Sequence, residues 1–132
     1  VAMGMEAIMF FTFWGTPLLR DKNKNVGGKD TISKMFGHML PKGTTQTKLS
    51  QMNMGGMGTA MMKSLMKKKN VASLEEFLQL AEELEIRIFI CEMSMDLMGF
   101  KREEMIAYKH LTYGGVAGFM EEARDSRIQL FI

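Results

Sequence analysis

Two short apolar segments, residues 6–13 and 86–90, constrain the fold of this chain more than any other feature of its sequence. Nearly every position in them is apolar, and many positions carry aromatic or β-branched side chains. Strands that are covered on both faces have this composition, which is typical of parallel sheets. The two segments therefore predict buried strands of a parallel sheet.

Helical patterns lie between and after these strands. Ser73 and Glu76 form a capping-box pattern, which predicts a helix from Leu74 to Leu84. Thr16 and Pro17 fit the N-cap and the first position of another helix. The other expected elements are helices over residues 31–40, 57–68, 101–107 and 115–124, a weak strand near residue 111 and a final strand over residues 128–132. This alternation predicts an α/β fold with a mainly parallel sheet and helices on both of its faces.

Cys91 is the only cysteine of the chain, and it directly follows the strand at residues 86–90. Reactive groups and ligands collect at the carboxyl ends of parallel strands. A thiol at this position faces the N-terminus of the next helix, whose partial positive charge favours the thiolate. A buried structural cysteine fits the same position, because unpaired cysteine is among the most buried residue types. The residues alone leave both interpretations open.

Length and composition exclude several classes of protein. A chain of 132 residues forms one domain with a real core. A formal net charge of only +2 gives no support for a nucleic-acid partner. No apolar stretch approaches the roughly 18 residues of a membrane span, and no signal peptide is visible. A single cysteine without a disulfide framework fits a reducing cytosol, so we expect a cytoplasmic protein.

Methionine is unusually abundant, with sixteen residues in the chain. The segment from Met52 to Met66 holds six of them, several at helical intervals, which favours packing over a Cu(I) site built from soft thioethers. Together with Trp14 and the final strand, this segment offers more apolar surface than one small domain covers. We therefore expect a homo-oligomer with a methionine-rich interface.

No motif in the chain indicates a cofactor or a metal ion. The glycine-rich segment at residues 55–58 lacks the spacing of a dinucleotide fingerprint and the ending of a P-loop. His38 and His110 are isolated from other ligand-type residues. The expected cofactor and metal content is therefore none.

Five short motifs follow one another along the chain: Phe10–Gly15, Met52–Gly58, Met61–Lys63, Cys91–Gly99 and Tyr113–Ala117. Together they resemble the DsrE/DsrF-like family, and more narrowly its stand-alone branch, whose members are often labelled as peroxiredoxins. The resemblance extends from residue 1 to residue 132. It implies a three-layer α/β/α sandwich of the flavodoxin-like or Rossmann-like kind, and a homo-oligomer.

The resemblance also implies a role in intracellular sulfur trafficking. In this family a cysteine accepts sulfane sulfur as a persulfide or thiosulfonate and passes it to TusA-like or rhodanese-like partners, and Cys91 matches that cysteine. We expect the backbone amides of Met93, Ser94 and Met95, with the Ser94 hydroxyl, to hold the anionic adduct. The implied activity is that of a sulfur carrier or sulfurtransferase.

Two other functions fit the same residues. The chain could be a methionine-rich homo-oligomeric interaction protein in which Cys91 is structural. It could also be a small-ligand or nucleotide-binding module, which rests on analogy of fold alone.

The N-terminus departs from the family pattern. Family members begin with a strand and a helix ahead of the segment that matches residues 1–4, and neither is present here. We therefore expect a single domain over residues 1–132 that lacks its first strand and helix, preceded in the full protein by about 20 to 30 residues. Because the strand at residues 6–13 is apolar on both faces, we expect it to have a neighbour on each side.

Overall fold

The fold is built on a parallel sheet of three strands. The computed structural model describes residue 1, residues 3–47 and residues 54–130. The strands are β1 (Ile8–Phe11), β2 (Arg87–Cys91) and β3 (Leu111–Gly114), in the spatial order β1-β2-β3. Both pairings are parallel, so the carboxyl ends of the strands meet at one edge of the sheet. The strands predicted near residues 6–13, 86–90 and 111 are therefore confirmed.

Five α-helices accompany the sheet in the described part of the chain. They are α1 (Thr31–Met39), α2 (Met57–Lys68), α3 (Leu74–Glu83), α4 (Glu92–Met98) and α5 (Val116–Arg124). Short 3₁₀ segments span Phe13–Leu19, Thr44–Gln46, Met54–Gly56 and Arg102–Glu104.

Helices cover both faces of the sheet. Successive side chains of a strand point to opposite faces, and paired residues of neighbouring strands share a face. On one face, the ring of Phe10 stacks on Phe119 of α5, with 4.6 Å between the ring centroids. On the other face, Ile88 and Ile90 are fully buried in a core that includes Met95 of α4. The predicted three-layer α/β/α architecture is thus confirmed.

Local sequence signals account for the ends of two helices. At the start of α3, the amide of Glu76 donates to Ser73 Oγ (3.2 Å), and the amide of Ser73 donates to the Glu76 carboxylate (2.6 Å). This confirms the predicted capping box. At the end of α4, Gly99 has φ of +64°, a conformation that favours glycine. A Cβ on Gly99 would also lie only 2.8 Å from Ser33 Cα, so α1 and α4 approach closely at this residue.

A buried group of charges ties distant parts of the chain together. Glu104 is almost fully buried and forms an ion pair with Arg20 (3.2 Å) and a second one with Lys29, and the side chains of both cations are buried too. The Arg20 guanidinium also lies over the ring of Phe100, 4.6 Å from its centroid. One carboxylate therefore joins the segment after the first 3₁₀ helix to the segment after α4.

Three predicted elements are wrong. Thr16 caps no helix: it is fully buried inside a 3₁₀ segment that begins at Phe13. The helix expected over residues 101–107 is a single 3₁₀ turn, because the buried Met105 has an extended backbone and pairs with Arg20 in an isolated bridge. Residues 128–130 form no strand, and the last two residues of that predicted strand lie outside the described residues.

The first strand has one neighbour in the described part of the chain, which is β2.

The start of the methionine-rich segment, at Met52, lies outside the described residues. None of the helices described is both long enough and apolar enough to cross a membrane.

Candidate functional site

Cys91 lies at the carboxyl end of the central strand. It is the last residue of β2, it is paired in register with Gly114 of β3, and it is the N-cap of α4. Its exposed fraction is 0%, so the thiol is fully enclosed. The sequence predicted the position at the strand end, whereas the complete burial also fits the structural interpretation.

Two hydroxyl groups accompany the buried thiol. Thr12 follows β1 and Ser94 belongs to α4, and their oxygen atoms are 2.8 Å apart. Burial would raise the pKa of the Cys91 thiol, but hydrogen bonds from the hydroxyl and amide of Ser94, the hydroxyl of Thr12 and the amide of Met93 outweigh it. The pKa of Cys91 therefore lies below its usual value. These four donors stabilise the thiolate over the thiol.

The two hydroxyl groups can serve the sulfur together. Each hydroxyl carries one proton and can also accept a hydrogen bond. When the sulfur carries no charge, one hydroxyl can donate to the other, and when the sulfur is a thiolate, both hydroxyl protons can turn to it. The pair can thus reorient its protons when the charge on the sulfur changes.

The chain turns sharply beside the thiol. Phe13, directly after Thr12, has φ of +40°, in the left-handed region that residues other than glycine rarely adopt. The 3₁₀ segment Phe13–Leu19 then packs against α4. Cys91 is thereby enclosed between the end of β1, this turn and the first turn of α4.

The carboxylate adjacent to Cys91 in the sequence is paired with a cation. Glu92 is next to Cys91 in the chain, and its negative charge would disfavour a thiolate at short range. Arg102 forms an ion pair with Glu92, and its guanidinium also lies over the ring of Tyr113 on β3, 4.7 Å from the centroid. This pairing lowers the repulsion that a thiolate at Cys91 would meet.

The predicted binding residues divide into three cases. Ser94 is fully buried and donates to the sulfur through both its hydroxyl and its amide. Met93 donates through its amide, while its side chain is 53% exposed. The amide of Met95 is not among the groups that lower the pKa of Cys91, and the Met95 side chain belongs to the core.

Thr12 is the residue of the site that the sequence analysis missed. It lies 82 positions from Ser94 in the chain, so no local pattern connects the two. The available signal was the polar residue directly after the apolar strand β1. In a parallel sheet, this residue must end near the residue that follows the neighbouring strand.

The site offers no set of metal ligands. Among the described residues, no three His, Cys, Asp or Glu side chains form a group that could hold a metal ion. The donors around Cys91 are hydroxyl and amide groups, which suit an anionic sulfur species rather than a cation.

Comparisons with known proteins give a family and two relatives for this chain. Residues 1–131 match the DsrE/DsrF/DrsH-like family. The chain is 38% identical over 127 residues to YrkE of Bacillus subtilis (strain 168), described as uncharacterized, an alignment that covers 96% of this chain and 78% of YrkE. It is also 38% identical over 143 residues to the sulfur carrier protein DsrE2 of Allochromatium vinosum, which covers 99% of this chain and 82% of the relative.

Proposed function

This chain belongs to the DsrE/DsrF/DrsH-like family, and from that premise we propose that it is a sulfur carrier in which Cys91 accepts sulfane sulfur and passes it on. One observation carries the proposal: a fully buried thiol whose pKa is nevertheless lowered, because four hydrogen-bond donors converge on it. A structural cysteine requires no such donors. The relative from Allochromatium vinosum, which is named as a sulfur carrier, supports the same function.

The proposed uptake step is a displacement at sulfur. The Cys91 thiolate attacks the outer sulfur of a donor, a new S–S bond forms, and the old bond to that sulfur breaks with its electron pair leaving on the donor. A donor persulfide is released as a thiolate, and thiosulfate is released as sulfite. With tetrathionate, attack on one of the two central sulfur atoms breaks the bond between them, leaves a thiosulfonate on Cys91 and releases thiosulfate. No external oxidant or reductant is needed in any of the three cases.

Delivery repeats the same step in the opposite direction. A thiolate of an acceptor attacks the outer sulfur on Cys91, and Cys91 leaves as a thiolate, which its hydrogen-bond donors stabilise. TusA-like or rhodanese-like proteins are the proposed partners, and the cytoplasm is the proposed compartment. A sulfurtransferase would also complete catalytic turnover. Incubation of the protein with an excess of both sulfur donor and acceptor tests whether Cys91 does so.

Access to the thiol requires a local movement. Because Cys91 is fully enclosed, a donor can reach it only after a local opening, and the turn at Phe13, directly after Thr12, is the proposed moving segment. The positive φ of Phe13 makes this turn a strained part of the backbone, which favours such an opening. The closed state then shields the bound sulfur from water.

The test is sulfur loading followed by intact-mass measurement. Native protein is incubated with thiosulfate or polysulfide, and we expect a gain of one or more sulfur atoms that a reductant reverses. Cys91→Ser should show no gain, whereas Ser64→Ala, an exposed serine of α2, should load like the wild type. An equal gain in Cys91→Ser would disprove the carrier function.

The complete burial of Cys91 also favours a second candidate, a structural cysteine in an interaction protein. Reaction with a small thiol reagent at neutral pH separates the two functions. A carrier should react in the native state within minutes, because its thiol is activated and its turn opens. A thiol that reacts only after denaturation would support the structural alternative.

We further propose that the chain forms a homo-oligomer. Large apolar side chains such as Trp14, Met57 and Met61 are more than two-thirds exposed, and side chains of this kind usually mark contacts when they cluster. Sedimentation velocity tests this part of the proposal independently of Cys91. A pure monomer at high micromolar concentration would contradict it.

A further inference from the structure

The structure carries two helices with exposed apolar stripes and opposite charge, and we propose that α2 of one copy packs against α3 of another. This inference rests on the proposed self-association and names the surfaces that produce it. It does not depend on the chemistry of Cys91.

Helix α2 contributes a basic apolar surface. It has no buried residue, and Met57, Met61 and Leu65 follow one another at four-residue intervals, which places them on one side of the helix. Met61 is 73% exposed. The helix contains three lysines and no acidic residue. Lys68 lies one turn beyond Leu65, at the end of the same stripe.

Helix α3 contributes an acidic apolar surface. Phe77, Leu80 and Leu84 recur at intervals of three and four residues, and all of them are exposed, Phe77 by 52%. Only Ala81 is buried among the residues of α3. The helix contains four glutamates and no basic residue. Glu83 lies three residues after Leu80, beside the apolar stripe.

One charge beside each stripe has no partner of opposite charge in the described part of the chain. Among the described residues, Lys68 and Glu83 take part in no ion pair. Exposed apolar side chains next to uncompensated charges are the composition of a protein–protein contact, with an apolar centre and a polar rim. The lysines of α2 and the glutamates of α3 have opposite charge, so the two surfaces are electrostatically complementary.

A second copy of the chain is the occupant that fits both stripes. Every copy carries one basic and one acidic stripe, so a two-fold arrangement covers both of them, with α2 on the partner's α3 and α3 on the partner's α2. An unrelated partner would have to match one stripe and leave the other exposed.

Charge reversal tests the contact in the full chain. In the proposed contact, Lys68→Glu places a glutamate against Glu83 of the other copy, and Glu83→Lys places a lysine against Lys68 of the other copy. We expect each variant to associate about tenfold more weakly than the wild type, because a favourable ion pair becomes a repulsive one on both sides of the contact. Sedimentation equilibrium measures the dissociation constants, and circular dichroism confirms that the helices are retained.

Mixing the two variants gives the decisive result. In a mixed assembly, the glutamate introduced at position 68 faces the lysine introduced at position 83, and the unchanged Lys68 of one variant faces the unchanged Glu83 of the other. Both ion pairs therefore return. We expect the equimolar mixture to associate as tightly as the wild type and to form one-to-one hetero-assemblies. A mixture that associates no better than either variant alone would overturn the proposal, since local unfolding of one helix cannot be repaired by mixing.

Matched controls separate this contact from other surfaces. Lys34→Glu on α1 and Met120→Ser on α5 change exposed residues of the same kinds elsewhere, and we expect both to leave association unchanged. Met61→Ser should weaken association in low and high salt alike, whereas the effect of Lys68→Glu should shrink in high salt.

The possible failures are distinguishable. A wild-type chain that is monomeric contradicts self-association and with it this contact. A wild-type oligomer that tolerates both charge reversals overturns the α2–α3 contact alone. The mass measurement tests sulfur loading at Cys91 independently of association.

Discussion

At the scale of single residues, the balance at Cys91 is between burial and hydrogen bonding. Complete burial raises the pKa of a thiol by as much as several units. Each hydrogen bond to a charged group offsets roughly 1.5–3 kcal/mol, and one pKa unit corresponds to about 1.4 kcal/mol. Four donors therefore suffice to reverse the effect of burial, which agrees with the lowered pKa of Cys91.

The first prediction concerns the two hydroxyl groups. Ser94→Ala and Thr12→Val each remove a donor, so the pKa of Cys91 should rise towards its usual value of 9.0, with the larger effect for Ser94→Ala. Since only the thiolate reacts, the pH at which the reaction rate with a thiol reagent reaches half its maximum should move upwards by about one unit. The pH dependence of the reaction rate measures this shift.

Thr112→Val is the matched control for Thr12→Val. Thr112 lies on β3 and is exposed, so the same change of side chain should leave the pH midpoint where it is in the wild type. Midpoints that are equal in Ser94→Ala, Thr12→Val and the wild type would contradict the role of the hydroxyl pair.

At this scale the sequence offers only local signals. Cys91, Met93 and Ser94 lie within four positions, so a strand followed by a short helix was enough to group them. Thr12 joins them only through the pairing of β1 with β2, which no single stretch of sequence encodes. The side chain of Met95 belongs to the core, and the side that each residue of α4 faces depends on where the helix packs.

At the scale of secondary-structure elements, Gly99 fixes the distance between α1 and α4. Its φ of +64° ends α4, and the space beside it is occupied by Ser33 of α1. Both features demand the absence of a Cβ.

The second prediction follows from this contact. Gly99→Ala should lower the free energy of unfolding by about 2 kcal/mol or more, because strain at positive φ adds to the displacement of α1. Chemical denaturation measures the loss. Gly118→Ala is the control, because Gly118 lies inside α5 with open space around it, and alanine there should stabilise the protein by up to about 1 kcal/mol.

The elements also show where local signals give way to packing. The capping box at Ser73 fixed the start of α3 without help from the rest of the chain. Thr16 and Pro17 carried an equally good local signal, yet both are buried in a 3₁₀ segment that packs against α4. Packing of this segment in the fold therefore outweighed the local signal for a helix.

At the scale of the whole molecule, Glu104 joins parts of the chain that the sheet does not connect. It pairs with Arg20 and Lys29, and it accepts a hydrogen bond from the amide of Lys101 (3.0 Å). Burial would raise its pKa, but these contacts outweigh burial and hold the pKa below its usual value. Glu104 is therefore ionised in the folded protein.

The third prediction is that Glu104→Gln strongly destabilises the fold. Loss of the carboxylate leaves two cations with buried side chains and no partner of opposite charge, which costs about 3 kcal/mol or more. Thermal or chemical denaturation at neutral pH measures this loss. Glu103→Gln, an exposed neighbour, should change stability by no more than about 0.5 kcal/mol.

The fourth prediction gives the pH dependence of the same group. Because the pKa of Glu104 is lower in the folded state, its contribution is fully present above its unfolded pKa near 4.5 and is lost as the pH falls through its folded pKa. The wild type should therefore lose stability in acid more steeply than Glu104→Gln. Parallel acid titrations of stability in the two proteins would contradict this assignment.

The enclosure of Cys91 has one more consequence, for the fate of the protein under oxidising conditions. A disulfide brings the two Cα atoms to within about 4.4–6.8 Å of each other. Two thiols that both lie recessed beneath a turn cannot approach so closely, whereas a thiol on a protruding segment can reach a recessed one. In this enclosed state, two copies of the chain therefore cannot join through a disulfide between their Cys91 thiols.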